Sequence, residues 1–207
     1  MGLSNPIRRI GLTGGIGSGK SSVARVLVDC GAVLVDTDAI ARALTLPGGA
    51  AIPALRQAFG DQAIAADGAL DRDRMRERVF ADRSAKAQLE GILHPMIGAE
   101  ADRQAAAAAG RTVVFDVPLL AGSSRWRRIV QRIVVVDCAE ETQVRRVMQR
   151  SGWTEAAVRA VVAQQLPRDA RRALADAVLH NDGISPDELA DRVRALWRLW
   201  APAAVEQ

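Results

Sequence analysis

Gly14-Gly15-Ile16-Gly17-Ser18-Gly19-Lys20-Ser21 matches the pattern G-x-x-x-x-G-K-[ST] in full. A short apolar run before it, Arg9-Ile10-Gly11-Leu12-Thr13, predicts a strand. After it, Val23, Val26, Leu27 and Cys30 recur at helical spacing. Strand, glycine loop and helix in that order are the context in which the pattern carries chemistry. Glycines let backbone N–H groups converge on an anion, and the helix N-terminus adds the positive end of its dipole. The expected ligand is a nucleoside triphosphate, cradled by Gly15, Ile16, Gly17, Ser18, Gly19, Lys20, Ser21 and Ser22. In that arrangement Lys20 reaches the β and γ phosphates, and the Ser21 hydroxyl ligates Mg²⁺.

The choice of lysine is informative. Only Lys20 and Lys86 are lysines among 28 basic residues, the rest being arginine. A chain that otherwise prefers Arg keeps a compact ammonium at the one place where a planar guanidinium would be crowded by phosphates.

With 207 residues, 49% of them apolar and 25% charged, the chain has ordinary globular composition and room for one domain with insertions. No apolar run approaches the roughly 18 residues of a membrane helix, and Met1 to Arg9 lacks the apolar region of a secretory signal. Cys30 and Cys138 have no metal-ligand spacing, which fits a reduced, cytoplasmic setting. The calculated pI of 10.0 suggests nucleic acid, but the formal net charge is only +4. The arginines also alternate with acids, as in Asp71-Arg72-Asp73-Arg74, which is the pattern of a solvated helix face. Neither a nucleic acid nor a membrane is therefore expected as partner. Sequence leaves a monomer or a weak homo-oligomer equally open.

Further strands are predicted at Ala32–Asp36, Thr112–Asp116, Arg132–Asp137 and Ala177–Leu179. Short buried-looking strands separated by helices indicate a parallel sheet covered on both faces, a three-layer α/β/α arrangement. The stretch from about 39 to 110 is long for a crossover and almost wholly helical. Such an insertion belongs over the carboxyl ends of the strands, where a second substrate would bind. From about 143 to 172, Gln143, Arg146 and Arg150 share one side of a helix. Ser151-Gly152-Trp153-Thr154 then turns the chain, and Arg168, Arg171 and Arg172 follow Pro167. These two arginine-lined helices are expected to form a lid gripping phosphates. Ser185-Pro186-Asp187-Glu188 predicts a capped C-terminal helix with Leu189, Val193, Leu196, Trp197 and Trp200 inward.

A phosphate loop alone does not separate kinases from switches and motor ATPases. Asp36-Thr37-Asp38 ends the second predicted strand, and residues two apart on a strand share a face. A carboxylate there can take the proton of an attacking hydroxyl, or it can simply cap the next helix. His94, before Pro95, is expected near a helix break. No N-K-x-D segment is present to read guanine, which disfavours a GTPase. Asp116 is either a carboxylate holding Mg²⁺ through water or a structural one.

Taken together, the chain resembles the dephospho-coenzyme A kinases. The resemblance rests on the phosphate loop and on Val35-Asp36-Thr37-Asp38-Ala39-Ile40-Ala41-Arg42 and Asp67-Gly68-Ala69-Leu70-Asp71-Arg72. It continues through Leu93-His94-Pro95, Val117-Pro118-Leu119-Leu120, Gln143 to Arg150, and Ala175-Asp176 with Asn181-Asp182-Gly183. It implies a phosphate-loop kinase with a helical acceptor-binding insertion and a helical lid, moving the ATP γ-phosphate to the ribose 3′-hydroxyl of dephospho-CoA. It also makes Asp38 the base and Asp36 its support, and places Thr13, Arg42 and His94 on the acceptor side. Arg146 and Arg150 fall in the lid, and Asn181 near the adenine. The chain departs from the pattern at Ala121-Gly122, where members often have Phe-Glu, and at His180, where they often have an acid.

Overall fold

β1 (Arg9–Gly14) is buried along all but its first residue, as a strand covered on both faces must be. The computed structural model describes residues 8–118, 120 and 123–201, so Leu119, Ala121 and Gly122 lie outside the described residues. Joined to β1 by the phosphate loop is α1 (Lys20–Asp29), followed by β2 (Val33–Asp36). Later come β3 (Val113–Asp116), β4 (Arg132–Asp137) and β5 (Ala177–His180), each within a residue or two of its predicted span. The sheet order is β2-β3-β1-β4-β5. β1 pairs in parallel with β3, Leu12 opposite Asp116, and with β4, Gly14 opposite Val136. β5 runs parallel to β4, with His180 opposite Asp137.

The chain divides into two compact units. The first comprises Met1–Val35 and Ala108–Gln207, the second Asp36–Ala107. In the first unit, α1 and the C-terminal α10 (Pro186–Trp200) cover one sheet face through Val23, Leu27, Leu189 and Val193, with Leu196, Trp197 and Trp200 partly buried beside them. Ser185 caps α10, and Glu188 completes a capping box. α6 (Ser124–Ile129) buries Trp126 against Phe115, ring centroids 5.5 Å apart, so the compact Arg125–Arg128 cluster is built around a packing residue. α7 (Glu140–Ser151), α8 (Glu155–Gln164) and α9 (Arg168–Ala173) lie between β4 and β5.

The second unit holds α2 (Thr37–Leu44), α3 (Ile52–Phe59), α4 (Arg72–Ala81) and α5 (Arg83–Ala106). It has an apolar centre of its own, including Ile52, Leu55, Phe59, Leu70 and Met75. The expected break at His94 does not occur: α5 runs without interruption through Pro95. A proline inside a helix removes one hydrogen bond and costs about 3 kcal/mol. Here Ile92, Leu93 and Met96 pack into the unit's core on both sides of it, and that burial offsets the loss.

Candidate active site

The phosphate loop takes its shape from what surrounds it. Gly17 and Gly19 have φ of 71° and 94°, values that L side chains rarely adopt. A Cβ on Gly17 would lie 2.8 Å from the Gln143 carbonyl oxygen, and one on Gly19 would lie 2.2 Å from Asn181 Nδ2. Ser18 N–H turns back onto the Gly15 carbonyl at 3.1 Å, and Ser22 N–H and Val23 N–H reach the Gly19 carbonyl. With Lys20 opening α1, the helix start presents amides that have no partner within the helix. This is the anion cradle that the motif implies. Ser21 and Ser22 are exposed at its mouth, and Ser18 is buried within it.

Lys20 Nζ forms an ion pair with Asp116 Oδ1, the carboxylate that ends β3. Both side chains are largely buried, at 18% and 9% exposed. Thr13, at the end of β1, is buried and donates its hydroxyl to the Pro118 carbonyl at 3.1 Å. Asn181 is buried too, and its amide donates to the Ser18 carbonyl at 2.7 Å, a support of the loop that sequence reasoning did not foresee. Its neighbour Asp182 accepts from Ala139 N–H and from the Thr142 hydroxyl, both at 2.9 Å, and so fastens the start of α7.

The arginines between β4 and β5 are not all free to grip a ligand, which corrects the expectation for that segment. Arg168 is bound to Asp137 through Nε and Nη2, at 2.8 and 2.7 Å. Arg171 is buried and donates to the Leu166 carbonyl. Arg146 is half-buried, with Nη1 enclosed and without a hydrogen-bond partner. Arg150 is exposed, touching only its neighbour Ser151 at 3.4 Å among the described contacts.

Asp137 ends β4 and is 3% exposed, with His180 Nδ1 at 3.5 Å. Burial pushes its carboxyl upward, but the hydrogen bonds and charge of Arg168, helped by His180 and Arg172, hold it below the usual carboxylate range. A depressed native value means folding favours the ionised form. Its contribution is complete above about pH 4 and is lost as pH falls through the native value. Arg168→Ala should therefore lower the urea midpoint at pH 7, and the gap from the parent chain should narrow as pH approaches 3. A gap independent of pH would show that the pair is not its source.

Apart from Thr13, the acceptor candidates belong to the second unit, and here the strand-end reading needs correcting. β2 stops at Asp36, and Thr37 already begins α2, so Asp36 and Asp38 do not share a strand face. Asp36 is the N-cap, accepting from Ala39 N–H at 2.9 Å. Asp38 sits in the first helical turn, where an acid is favoured by the dipole. Asp38 and Arg42, four residues apart, lie on one side of α2, and both are exposed. His94 is exposed on α5, against which α2 packs. Sequence reasoning missed Arg72, whose Nη2 donates to Thr45 Oγ1 at 2.7 Å. Thr45 Oγ1 in turn bonds the carbonyls of Ala41 and Arg42, so Arg72 braces the end of the helix that carries Asp38.

A Bordetella pertussis dephospho-CoA kinase is 53% identical over 197 residues, 95% of this chain and 92% of its own length. A Thermus thermophilus protein of known crystal structure superimposes with a TM-score of 0.82 at 32% identity, covering 96% of this chain and 100% of that one. A Campylobacter jejuni dephospho-CoA kinase shares the fold, with a TM-score of 0.63 at 20% identity over 94% of this chain and 97% of that one. Residues 8–187 match the family described as dephospho-CoA kinase, and the chain belongs to that family.

Proposed function

We infer that this chain transfers the γ-phosphate of ATP to the ribose 3′-hydroxyl of dephospho-CoA, giving CoA and ADP. ATP-dependent phosphorylation of dephospho-CoA, the last step of coenzyme A biosynthesis, is the activity of the family to which it belongs. One observation carries the reading: a phosphate loop with Lys20 held against Asp116, in a chain that matches the family over residues 8–187.

Phosphoryl transfer asks for alignment and charge neutralisation rather than covalent help. Loop amides and Lys20 would take the phosphate tail of ATP. An ammonium has three donors, so Lys20 can keep Asp116 and still turn toward phosphate oxygens. Arg146, with its unpartnered Nη1, and exposed Arg150 are the cations of α7 left to meet the nucleotide. Asp38 would accept the proton of the 3′-hydroxyl, while Asp36 holds the start of α2 in place. Thr13, Arg42 and His94 would bind the acceptor, Asn181 would border the adenine, and α7 with α8 would exclude water.

Mg²⁺ takes hard oxygen donors, usually one or two from protein beside phosphate and water. Ser21 and Asp116 fit that demand: the Asp116 carboxylate contacts Lys20, the residue next to Ser21. Bound there, the ion would neutralise charge on the transferring phosphate. No helix among the described residues is long and apolar enough to cross a membrane. Two unpaired cysteines support the cytoplasm as the working compartment.

Purified protein given ATP and Mg²⁺ should release ADP when dephospho-CoA is added, and far less with AMP, CMP or sugars. ADP release that ignores dephospho-CoA would overturn the assignment.

A further inference from the structure

Ile16, inside the phosphate loop, is held twice by the helices that follow β4. Its side chain packs against the cluster of Val144, Val147 and Val158, beside Val162. Its N–H donates to Gln165 Oε1 at 3.1 Å, across 149 residues of sequence. Gln165 is the C-cap of α8, and its own N–H is tied to the Val162 carbonyl at 3.1 Å. Just beyond it, the Leu166 carbonyl is gripped by buried Arg171. Gln143 and Arg171 also close over Gly15, where an added Cβ would lie 2.9 and 3.0 Å from their side-chain nitrogens. The polar hold on Ile16 is thus mounted on backbone that is itself fixed.

We propose that Gln165 is a positioning residue for phosphoryl transfer: its side-chain carbonyl takes the Ile16 N–H and so sets the first half of the phosphate loop in its binding shape. N–H groups converging on an empty anion site repel one another, and an acceptor that removes one of them narrows the loop's range of shapes. Less ordering is then left for ATP to impose, and affinity rises. With its N–H taken by Gln165, the Ile16 amide is withdrawn from the cradle expected from sequence, and the remaining loop amides are left for the triphosphate. This inference rests on the reading that the loop holds ATP.

Two variants test it. Gln165→Met keeps the length of the side chain and loses the strong acceptor, while Gln165→Glu keeps an acceptor at the same reach. Gln165→Met should speed hydrogen exchange at the Ile16 amide and raise the Kd and KM for ATP by about 5-fold, the weight of one hydrogen bond. The KM for dephospho-CoA should stay unchanged, and the melting temperature should fall by no more than about 2–4 °C, the share of one hydrogen bond. Gln165→Glu should restore protection of the Ile16 amide. ATP affinity unchanged in Gln165→Met, or lost together with dephospho-CoA affinity and with a larger fall in melting temperature, would overturn the proposal and leave Gln165 a plain structural tie. Parent protein that failed to bind ATP would instead sink the functional reading, and titration of the parent shows this first.

Discussion

Asp38→Asn is expected to bind ATP as the parent chain does and to turn over at least about 10²-fold more slowly, the lower end of the range for losing a general base. The substitution removes a proton acceptor and leaves the side chain's shape. The fold should barely notice, because the cap of α2 is Asp36 and not Asp38. An acid in the first turn contributes only about 0.3–1 kcal/mol through the helix dipole. Asp36→Asn is the control: asparagine caps as well as aspartate, so that variant should keep most of its turnover. Measuring kcat with saturating ATP and dephospho-CoA decides the matter. If Asp38→Asn retains the parent kcat, the proton goes elsewhere.

Lys20→Ala should lower kcat by about 10²–10³-fold, the scale for deleting one preorganised donor to transition-state charge. It should weaken ATP binding as well, for a reason specific to this site. Asp116 is 7% exposed and faces the lysine. Stripped of the ammonium, its carboxylate adds negative charge where the phosphate tail arrives. In Mg²⁺-free buffer, where the carboxylate has no ion to hold, Lys20→Ala with Asp116→Asn should therefore regain part of the ATP affinity, and in neither condition should it regain turnover. Titration and steady-state kinetics on the two variants separate these effects. Near-normal activity of Lys20→Ala would count against the loop as the site of transfer.

Much of this was legible in local sequence. The phosphate loop, its flanking strand and helix, and the Ser185 cap are patterns read within a few residues, and all three are present in the structure. Two errors came from applying a local rule where packing decides. Pro95 should interrupt a helix, but the apolar residues beside it are worth more buried than one hydrogen bond. Asp36-Thr37-Asp38 was read with the period of a strand, although α2 begins at Thr37. What sequence could not show was pairing at a distance. Lys20 with Asp116, Arg168 with Asp137 and Gln165 with Ile16 join residues 96, 31 and 149 apart. No periodicity reports which arginine has a carboxylate waiting and which is left for a ligand. Strand order is of the same kind, since every strand here is a similar apolar run.

That order has a consequence for how the chain is made. β1 emerges first from the ribosome, yet its two neighbours begin only at Val113 and Arg132. At ordinary elongation speeds the nascent glycine loop waits on the order of ten seconds for the strands that will frame it. Asp36–Ala107, with an apolar centre drawn wholly from its own residues, can be complete before then. Synthesis should thus finish the acceptor-side helices while the nucleotide cradle is still open chain, and a newborn molecule gains its grip on ATP last.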